Sequence, residues 1–379
     1  MKTRPGRQLG SFLFALLAAS LAHSATYYVE SVTATDLGTL GGDQASATDI
    51  NNRGTIVGFA KNASMKRLAV RWHAGIILEL GTPASSAFSY AEGINDVGEI
   101  VGRFGDPGEF EFRPFYWTLG TGMVEMDRSL FPGDPLDPLY IGKAFAINKA
   151  GMIAGVVEKD FTPFTEPCRK SLPVVWNNAY AAPEIVHCAE DVDSYNHAWD
   201  INNSGWIVGS EGDGSGPTFG YVWKAGVTTH IPTPVLGSEL DAYGINEAGV
   251  VVGSAMILGV TQRAILWDGA SATSSWLPVL AGGSTSHATE INDQNFVSGT
   301  SQMLITHPIL PGQVRNRAFL WHTLLGMYPL PVQPGVSPLT TDCSGSSLNN
   351  LVSATGVIKV VGSCGKRAIL WTIVVKKSP

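Results

Sequence analysis

The sequence predicts an all-β chain folded as a seven-bladed β-propeller, with four antiparallel strands in each blade. Two observations carry this prediction. The pattern A-x-x-I-N-x-x-G-x-I-V-G returns along the chain, and a segment ending in tryptophan follows every copy. Repeated units of about 40–50 residues, each with short strands and one tryptophan position, are typical of propeller blades.

Six copies of the pattern are intact, and a seventh at 346–362 is stretched by six residues while keeping its L-N and V-V-G ends. The asparagines of consecutive intact copies lie 44 to 54 residues apart. Seven units therefore predict seven blades. The intact copies span residues 47–58, 91–102, 144–155, 198–209, 242–253 and 288–299.

Each unit predicts strands A to D in order. In the first unit "ATDIN" alternates and "TIVGFA" is β-branched, with N-x-x-G between them. Because Asn starts turns and Gly accepts a positive φ, these segments form an A–B hairpin. The tryptophan segment is strand C, and a run such as "GIILELG" (75–81) is strand D. No segment shows a 3.6-residue apolar period, so helices should be nearly absent. The tryptophans are expected to fill the core between blades: Trp72, Trp117, Trp176, Trp223, Trp267, Trp321 and Trp371.

The two chain ends predict how the ring closes. The chain ends soon after Trp371, which leaves little room for strand D of the last unit. Residues 27–40 form a spare β-rich segment before the first unit. Since an open sheet edge invites aggregation, we expect this N-terminal strand to complete the last blade. Residues 41–46 would then cross to the first blade.

The first 24 residues predict a secretory signal peptide. Lys2, Arg4 and Arg7 precede a short apolar run, and small residues lead up to Ser24. This is the pattern of a cleaved leader. We expect residues 25–379 to form a single propeller domain that is secreted or periplasmic.

The four cysteines form two close pairs, Cys168 with Cys188 and Cys343 with Cys364. Exported proteins can keep disulfides. Each pair is equidistant from a predicted hairpin turn, and such residues face each other across an antiparallel ladder. The sequence therefore predicts both disulfides.

The composition argues against nucleic-acid binding and against membrane insertion. Only 15% of residues are charged and the net charge is −7, whereas nucleic-acid binding needs phosphate contacts from Lys and Arg. We expect no membrane insertion, because no further apolar run approaches ~20 residues.

The sequence carries no G-x-S-x-G, H-E-x-x-H, Walker or EF-hand pattern. We expect a monomer with no cofactor and no metal, and the absent motifs argue against an enzyme without deciding the question.

The segment "DLGTLGG" (36–42), the repeated A-x-x-I-N-x-x-G-x-I-V-G and the "AFLW" at 318–321 resemble a bacterial family, the probable extracellular repeat proteins named HAF. The resemblance covers residues 35–371. It implies export and a repeated β-fold. It brings no established activity and no functional residue.

Candidate binding residues follow from position alone. In propellers the D–A and B–C connections gather at one mouth of the central channel, and the residue before each motif alanine should lie there. We call these seven positions the rim. One interpretation of the rim is that it consists of varied surface residues without a ligand. The others are a binding or scaffolding module for a glycan, cell-wall or protein ligand, or a secreted hydrolase or lyase acting on polysaccharide. In the latter, His197 or His287 would work with Asp241 as acid and base. Metal binding by these histidines is a weaker hypothesis. The rim comprises Ser46, Tyr90, Lys143, His197, Asp241, His287 and Ser344, and its five non-serine members are the candidate ligand-binding residues.

Overall fold

The computed structural model describes residues 26–83, 88–106, 112–130, 141–158, 171–187, 196–212, 218–235, 239–257, 261–307, 311–352 and 354–378. The predicted leader 1–24 and the predicted Cys168–Cys188 pair lie outside these residues. The described residues form strands and turns but no α-helix, and therefore include no helix that could cross a membrane.

Seven four-stranded antiparallel sheets follow one another, as predicted. Blade one is β2 (Gly41–Ile50), β3 (Ile56–Asn62), β4 (Arg67–His73) and β5 (Ile76–Glu79); blade two is β6 (Phe88–Ile94), β7 (Ile100–Gly105), β8 (Arg113–Thr118) and β9 (Gly122–Glu125). Blade three is β10 (Ile141–Ile147), β11 (Ile153–Glu158), β12 (Ser171–Trp176) and β13 (Glu184–Ile185); blade four is β14 (His197–Ile201), β15 (Ile207–Glu211), β16 (Phe219–Lys224) and β17 (Val227–His230). Blade five is β18 (Leu240–Ile245), β19 (Val250–Ile257), β20 (Thr261–Asp268) and β21 (Thr273–Trp276); blade six is β22 (Ser286–Ile291), β23 (Val297–Ile305), β24 (Gln313–His322) and β25 (Gly326–Pro329). Blade seven is β26 (Cys343–Leu348), β27 (Val357–Cys364), β28 (Arg367–Lys377) and the N-terminal β1 (Tyr27–Asp36).

The N-terminal strand closes the ring. β1 pairs antiparallel with β28 from Tyr27 opposite Lys377 to Asp36 opposite Ile369. The predicted closure is therefore confirmed, but the strand ends at Asp36 rather than residue 40. The Asp36 carboxylate accepts a hydrogen bond from the amide of Gly38, whose φ of 81° turns the chain. Residues 41–46 already belong to β2, because β3 extends to Asn62 and supplies their ladder partners.

The hydrophobic core lies between the blades. Seven clusters of buried side chains each join two neighbouring sheets, including one between the last blade and the first. Each predicted tryptophan belongs to one of these clusters, so that prediction is confirmed. Trp176 and Trp371 are fully buried, while Trp223 and Trp321 are half-buried. The core thus forms only when adjacent blades meet.

The motif asparagines fasten the A–B turns to each other. Asn202 shows the pattern: its Oδ1 accepts the amide of Trp206 at 2.9 Å, and its Nδ2 donates to the carbonyl oxygen of Asn246 in the next blade at 3.1 Å. The first role, within the turn, was predicted; the second was not. We call this set of contacts the asparagine ring. The same Nδ2-to-carbonyl bond runs from Asn51 to Asn95, Asn95 to Asn148, Asn148 to Asn202, Asn246 to Asn292 and Asn292 to Asn349.

Different contacts join blade seven to blade one. The amide of Asn350 donates to Oδ1 of Asn52 at 2.8 Å, and the Ser347 hydroxyl donates to Asp49 at 2.7 Å. Within blade seven, Cys343 and Cys364 face each other on β26 and β27 and form the predicted disulfide. The blade with the stretched turn is therefore cross-linked beside the closing strand.

Candidate functional site

The seven rim residues occupy one structural position. Each lies on strand A opposite the residue that follows the last motif glycine on strand B, for example His197 opposite Ser210. The same register holds in the other six blades. All seven are half-buried. The repeat therefore places chemically different side chains at equivalent points of the ring.

Lys143 and His197 share an acidic partner. Lys143 Nζ lies 2.7 Å from Glu158 Oε1, and His197 Nε2 lies 3.7 Å from the same oxygen. Burial raises the pKa of Glu158, but its hydrogen bonds and the charges of these two residues outweigh burial and hold that pKa below its usual value. This part of the rim therefore keeps an ionised carboxylate between two blades.

Tyr90 belongs to a group of aromatic and cationic side chains. Its hydroxyl accepts a hydrogen bond from Arg67 at 3.0 Å, and the Arg103 guanidinium lies 5.0 Å from its ring centroid. The ring also meets Phe59 edge-on, with centroids 5.2 Å apart. Arg103 is held in turn by Glu92 at 3.0 Å. These contacts leave Tyr90 fixed at the rim.

The two remaining candidate ligand-binding residues, Asp241 and His287, have shifted pKa values. Burial raises the pKa of Asp241, while the charge of His197 in the preceding blade lowers it to a smaller extent. Burial lowers the pKa of His287, which favours the neutral form of this imidazole. The structure thus brings His197 and Asp241 into electrostatic reach, whereas no hydrogen bond or ion pair among the described residues joins His287 to either.

A cavity of about 390 Å³ lies directly below the rim. Seven of its lining residues, which we call the second tier, lie two positions after the rim residue on each strand A. Alternation places such residues on the same strand face as the rim. Phe145, Trp199 and Tyr243 line one side: the first two ring centroids are 4.7 Å apart and the last two 6.0 Å. Trp199 also stacks on His197 at 4.6 Å. The remaining members of this second tier are Thr48, Glu92, Thr289 and Ser346.

Three further carboxylates line both this cavity and the channel space next to it: Asp49, Asp200 and Glu290, which we call the channel carboxylates. Burial raises the pKa of all three, and that of Asp200 reaches about 6. Mutual repulsion acts in the same direction, since Asp49 raises the pKa of Asp200, and both raise that of Glu290. Asp200 also accepts the amides of Ile201 and Ile245.

Sequence reasoning missed both the second tier and the channel carboxylates. The signal was present in the two variable positions of A-x-x-I-N, which read Thr-Asp, Trp-Asp and Thr-Glu in three of the copies. Attention to the residue before the alanine identified the outer rim alone. Strand A has a bulge at these variable positions, so both variable residues of each copy face the channel. No sequence pattern predicts that bulge.

At the opposite mouth, the asparagine ring leaves a narrower space of about 180 Å³. At this end the motif asparagine recurs in every blade and the residue after it varies, whereas no residue type is common to all blades at the rim or in the second tier. The two ends of the channel therefore differ in chemical variety as well as in size.

Solved structures with similar folds are β-propellers. An oligogalacturonate lyase in complex with manganese matches with a TM-score of 0.54 and 10% identity, covering 93% of this chain and 96% of that one. The β-propeller domain of the trilobed protease from Pyrococcus furiosus matches with a TM-score of 0.51 and 10% identity, covering 88% and 97%. A prolyl endopeptidase structure matches at 0.51 and 10% identity, and this chain covers 51% of its length. No family model and no curated protein matches the sequence. At these identities the likeness shows the fold alone: the chain is a seven-bladed β-propeller.

Proposed function

We propose that this protein is a carbohydrate-binding β-propeller whose site is the rim and the cavity beneath it. The observation that carries the proposal is the contrast between the two channel mouths. One mouth repeats the same asparagine contact, while the other presents Tyr90, Lys143, His197, Asp241 and His287 at equivalent positions. A rigid scaffold with varied side chains at one end is the usual arrangement of a binding site.

The cavity has the chemistry that sugars need. Its volume falls in the range of small-molecule sites, which are lined by aromatic residues and a few polar groups. Trp199 and Phe145 offer ring faces. Trp199 and Arg103 both line the cavity, and their Nε1 and Nε atoms are buried with no hydrogen-bond partner among the described residues. A sugar hydroxyl that reached these donors would supply the missing acceptor, and ring stacking would hold the apolar face of the pyranose.

Export belongs to the same proposal. The leader pattern at 1–24 and the Cys343–Cys364 disulfide both support a secreted or periplasmic location. Membership of the HAF repeat family remains part of this proposal, on the strength of the repeated motif. Amino-terminal sequencing of exported protein should begin at Ala25. Retention of the leader on the exported chain would contradict the assignment.

The binding site is tested by a glycan screen on the chain that begins at Ala25. A ligand found in the screen should bind at least about fivefold more weakly to Trp199→Ala and Asp241→Ala, since a lost stack or polar contact costs about 1 kcal/mol or more. Tyr90→Ala is compared with Tyr180→Ala, which removes an exposed tyrosine from a C–D turn on the opposite face. Equal affinity of all four variants and the wild type would reject this site.

A polysaccharide-cleaving enzyme is the second candidate, and the channel carboxylates favour it. A carboxylic acid with a pKa near 6 beside ionisable carboxylates is the pairing that acid–base cleavage of glycosides uses. If the screen yields a polysaccharide, product release should be followed in wild type, Asp200→Asn and Glu290→Gln. Cleavage abolished by these variants with binding retained supports the enzyme. Binding without cleavage in the wild type supports the binding module.

A further inference from the structure

Three potential metal ligands converge in blade four, away from the channel. Glu211 ends strand β15, His230 ends β17, and His187 follows β13 in the connection between blades three and four. One ligand atom from each lies within 4.8 Å of the others. His187 Nε2 is 2.6 Å from Glu211 Oε2, and His230 Nε2 is 2.5 Å from Glu211 Oε1. The ends of B and D strands place this cluster on the same face as the rim.

Glu211 is an unusual residue for a surface ion pair. Its side chain is buried, with 7% of the residue exposed. Oε2 accepts no hydrogen bond from a described residue, because the His187 contact is short but does not have hydrogen-bond geometry. Each oxygen of this buried carboxylate faces one imidazole nitrogen. A buried carboxylate that is ionised requires a positive partner.

The orientation of His187 is set from its other nitrogen. Nδ1 lies 3.1 Å from the hydroxyl of Thr228, and the ring packs against Tyr221 with centroids 5.8 Å apart. This arrangement directs Nε2 at the carboxylate. Histidines that bind metals are typically held through the second nitrogen in this way, which also sets the tautomer.

We propose that His187, Glu211 and His230 form a binding site for one divalent transition metal ion, with Zn²⁺ as the best fit. Two imidazole nitrogens and one carboxylate oxygen are a common Zn²⁺ ligand set, and a fourth position is left for water. Tetrahedral bonds of about 2.1 Å separate ligand atoms by about 3.4 Å, so the site must open by about 1 Å to accept the ion. His230 has an exposed side chain and can make that adjustment.

The ion would join two parts of the rim face. His187 belongs to the D–A connection, whereas the other two ligands belong to the sheet of blade four. Tyr221, which packs against His187, donates its hydroxyl to the carbonyl oxygen of the rim residue His197 at 3.0 Å. Metal binding would therefore hold the connection against the blade next to the rim.

The test is a Zn²⁺ titration by calorimetry on chelator-treated protein without an affinity tag, at pH 7.5. We expect one ion per chain. His187→Ala and His230→Ala should each weaken binding by about 100-fold or more, since even loss of a ligand's supporting partner costs 10- to 100-fold. Thr228→Ala, which removes such a partner, should fall in that lower range. Co²⁺ should give the visible absorption of a four-coordinate ion, and affinity should fall on acidification because ligands must be deprotonated to bind a metal.

His73→Ala is the matched control. His73 Nδ1 lies 2.9 Å from the Thr55 hydroxyl, which reproduces the Thr–His pair on the opposite face of the propeller. This variant should bind Zn²⁺ like the wild type. Thermal unfolding without metal establishes that each variant is folded, and Glu211→Gln provides a ligand change of nearly unchanged shape. Absence of Zn²⁺ binding by the wild type would overturn the proposal. So would His187→Ala, His230→Ala and Glu211→Gln variants that all bind Zn²⁺ as tightly as the wild type, and the cluster would then be an ion pair.

Discussion

At the scale of single residues, the motif asparagine explains why the repeat is so regular. Its Oδ1 satisfies amides of its own turn while its Nδ2 satisfies a carbonyl of the next blade. Aspartate lacks the donor, and alanine lacks both groups. One residue type therefore sets the shape of each turn and its distance from the neighbouring turn.

Asn202→Ala should lower the free energy of unfolding by about 2–3 kcal/mol, because it leaves a buried amide and a buried carbonyl without partners. Asn202 is 4% exposed. Asn203→Ala, one residue on and exposed, is the control and should cost under about 1 kcal/mol. Urea unfolding of both variants checks the difference. Equal losses would show that the asparagine ring adds nothing to stability.

The channel carboxylates predict a dependence of stability on pH. The pKa of Asp200 is about 6 in the fold and near 3.8 otherwise, so the folded state binds protons more tightly. Its ionisation therefore lowers stability as pH rises through this window, and acidification from pH 7 to pH 5 restores it. His287 and His322 act oppositely, since burial lowers their pKa values.

The measurement is thus a comparison of unfolding free energies at pH 7 and pH 5 in wild type and Asp200→Asn. The wild type should gain about 1–2 kcal/mol more than the variant on acidification. Asp49, Glu247 and Glu290 also act on Asp200 or are affected by it, so part of the wild-type response persists in the variant. Identical changes in the two proteins would contradict the raised pKa.

At the scale of strands, the last motif glycine is required by a close approach between strands A and B. A Cβ placed at Gly253 would overlap the carbonyl oxygen of the rim residue Asp241. The equivalent glycines of the other blades meet the carbonyl oxygens of their own rim residues in the same way. The glycine therefore lets strands A and B approach closely at the rim.

Gly253→Ala should therefore cost about 3 kcal/mol of unfolding free energy, since the obstacle is backbone that cannot rotate away. Gly120→Ala is the comparison: its nearest neighbour is the Thr118 hydroxyl at 3.9 Å, so a methyl group fits. Thermal unfolding should separate the two variants clearly. A Gly253→Ala protein as stable as Gly120→Ala would show that the strands move apart at little cost.

At the scale of the whole molecule, stability depends on closing the ring. Each cluster of the core needs two blades, and blades seven and one meet only if the ring is complete. β1 supplies the outer strand of blade seven, and its Tyr27, Val29, Val32 and Ala34 pack on the cluster between blades six and seven. The N-terminus is thus a structural part of the last blade.

Removal of residues 25–36 should lower the melting temperature and broaden the transition, because the edge of β28 is exposed and cooperativity around the ring is lost. Val32→Asp, which keeps the strand but places a charge against that cluster, should give a smaller loss in the same direction. Calorimetry of both proteins checks this. A truncated chain that melts like the full one would contradict ring closure by β1.

The sequence by itself determined the seven blades, the A–B turns, the tryptophan core, the closing strand and the Cys343–Cys364 disulfide. These features depend on local patterns and on one repeat, so that each copy supports the interpretation of the others. The rim was located in the same way, as an equivalent position in each unit.

Tertiary structure alone decided which side chains contact each other. The asparagine ring and the channel carboxylates bring together equivalent motif positions of different blades, whereas the His187–Glu211–His230 cluster joins a connection to the ends of two strands, and no sequence pattern predicts these contacts. Glu211 and His230 are 19 residues apart, yet they meet because β15 and β17 end on the same face of one blade. Distances across the ring follow from how blades pack, which a linear pattern does not encode.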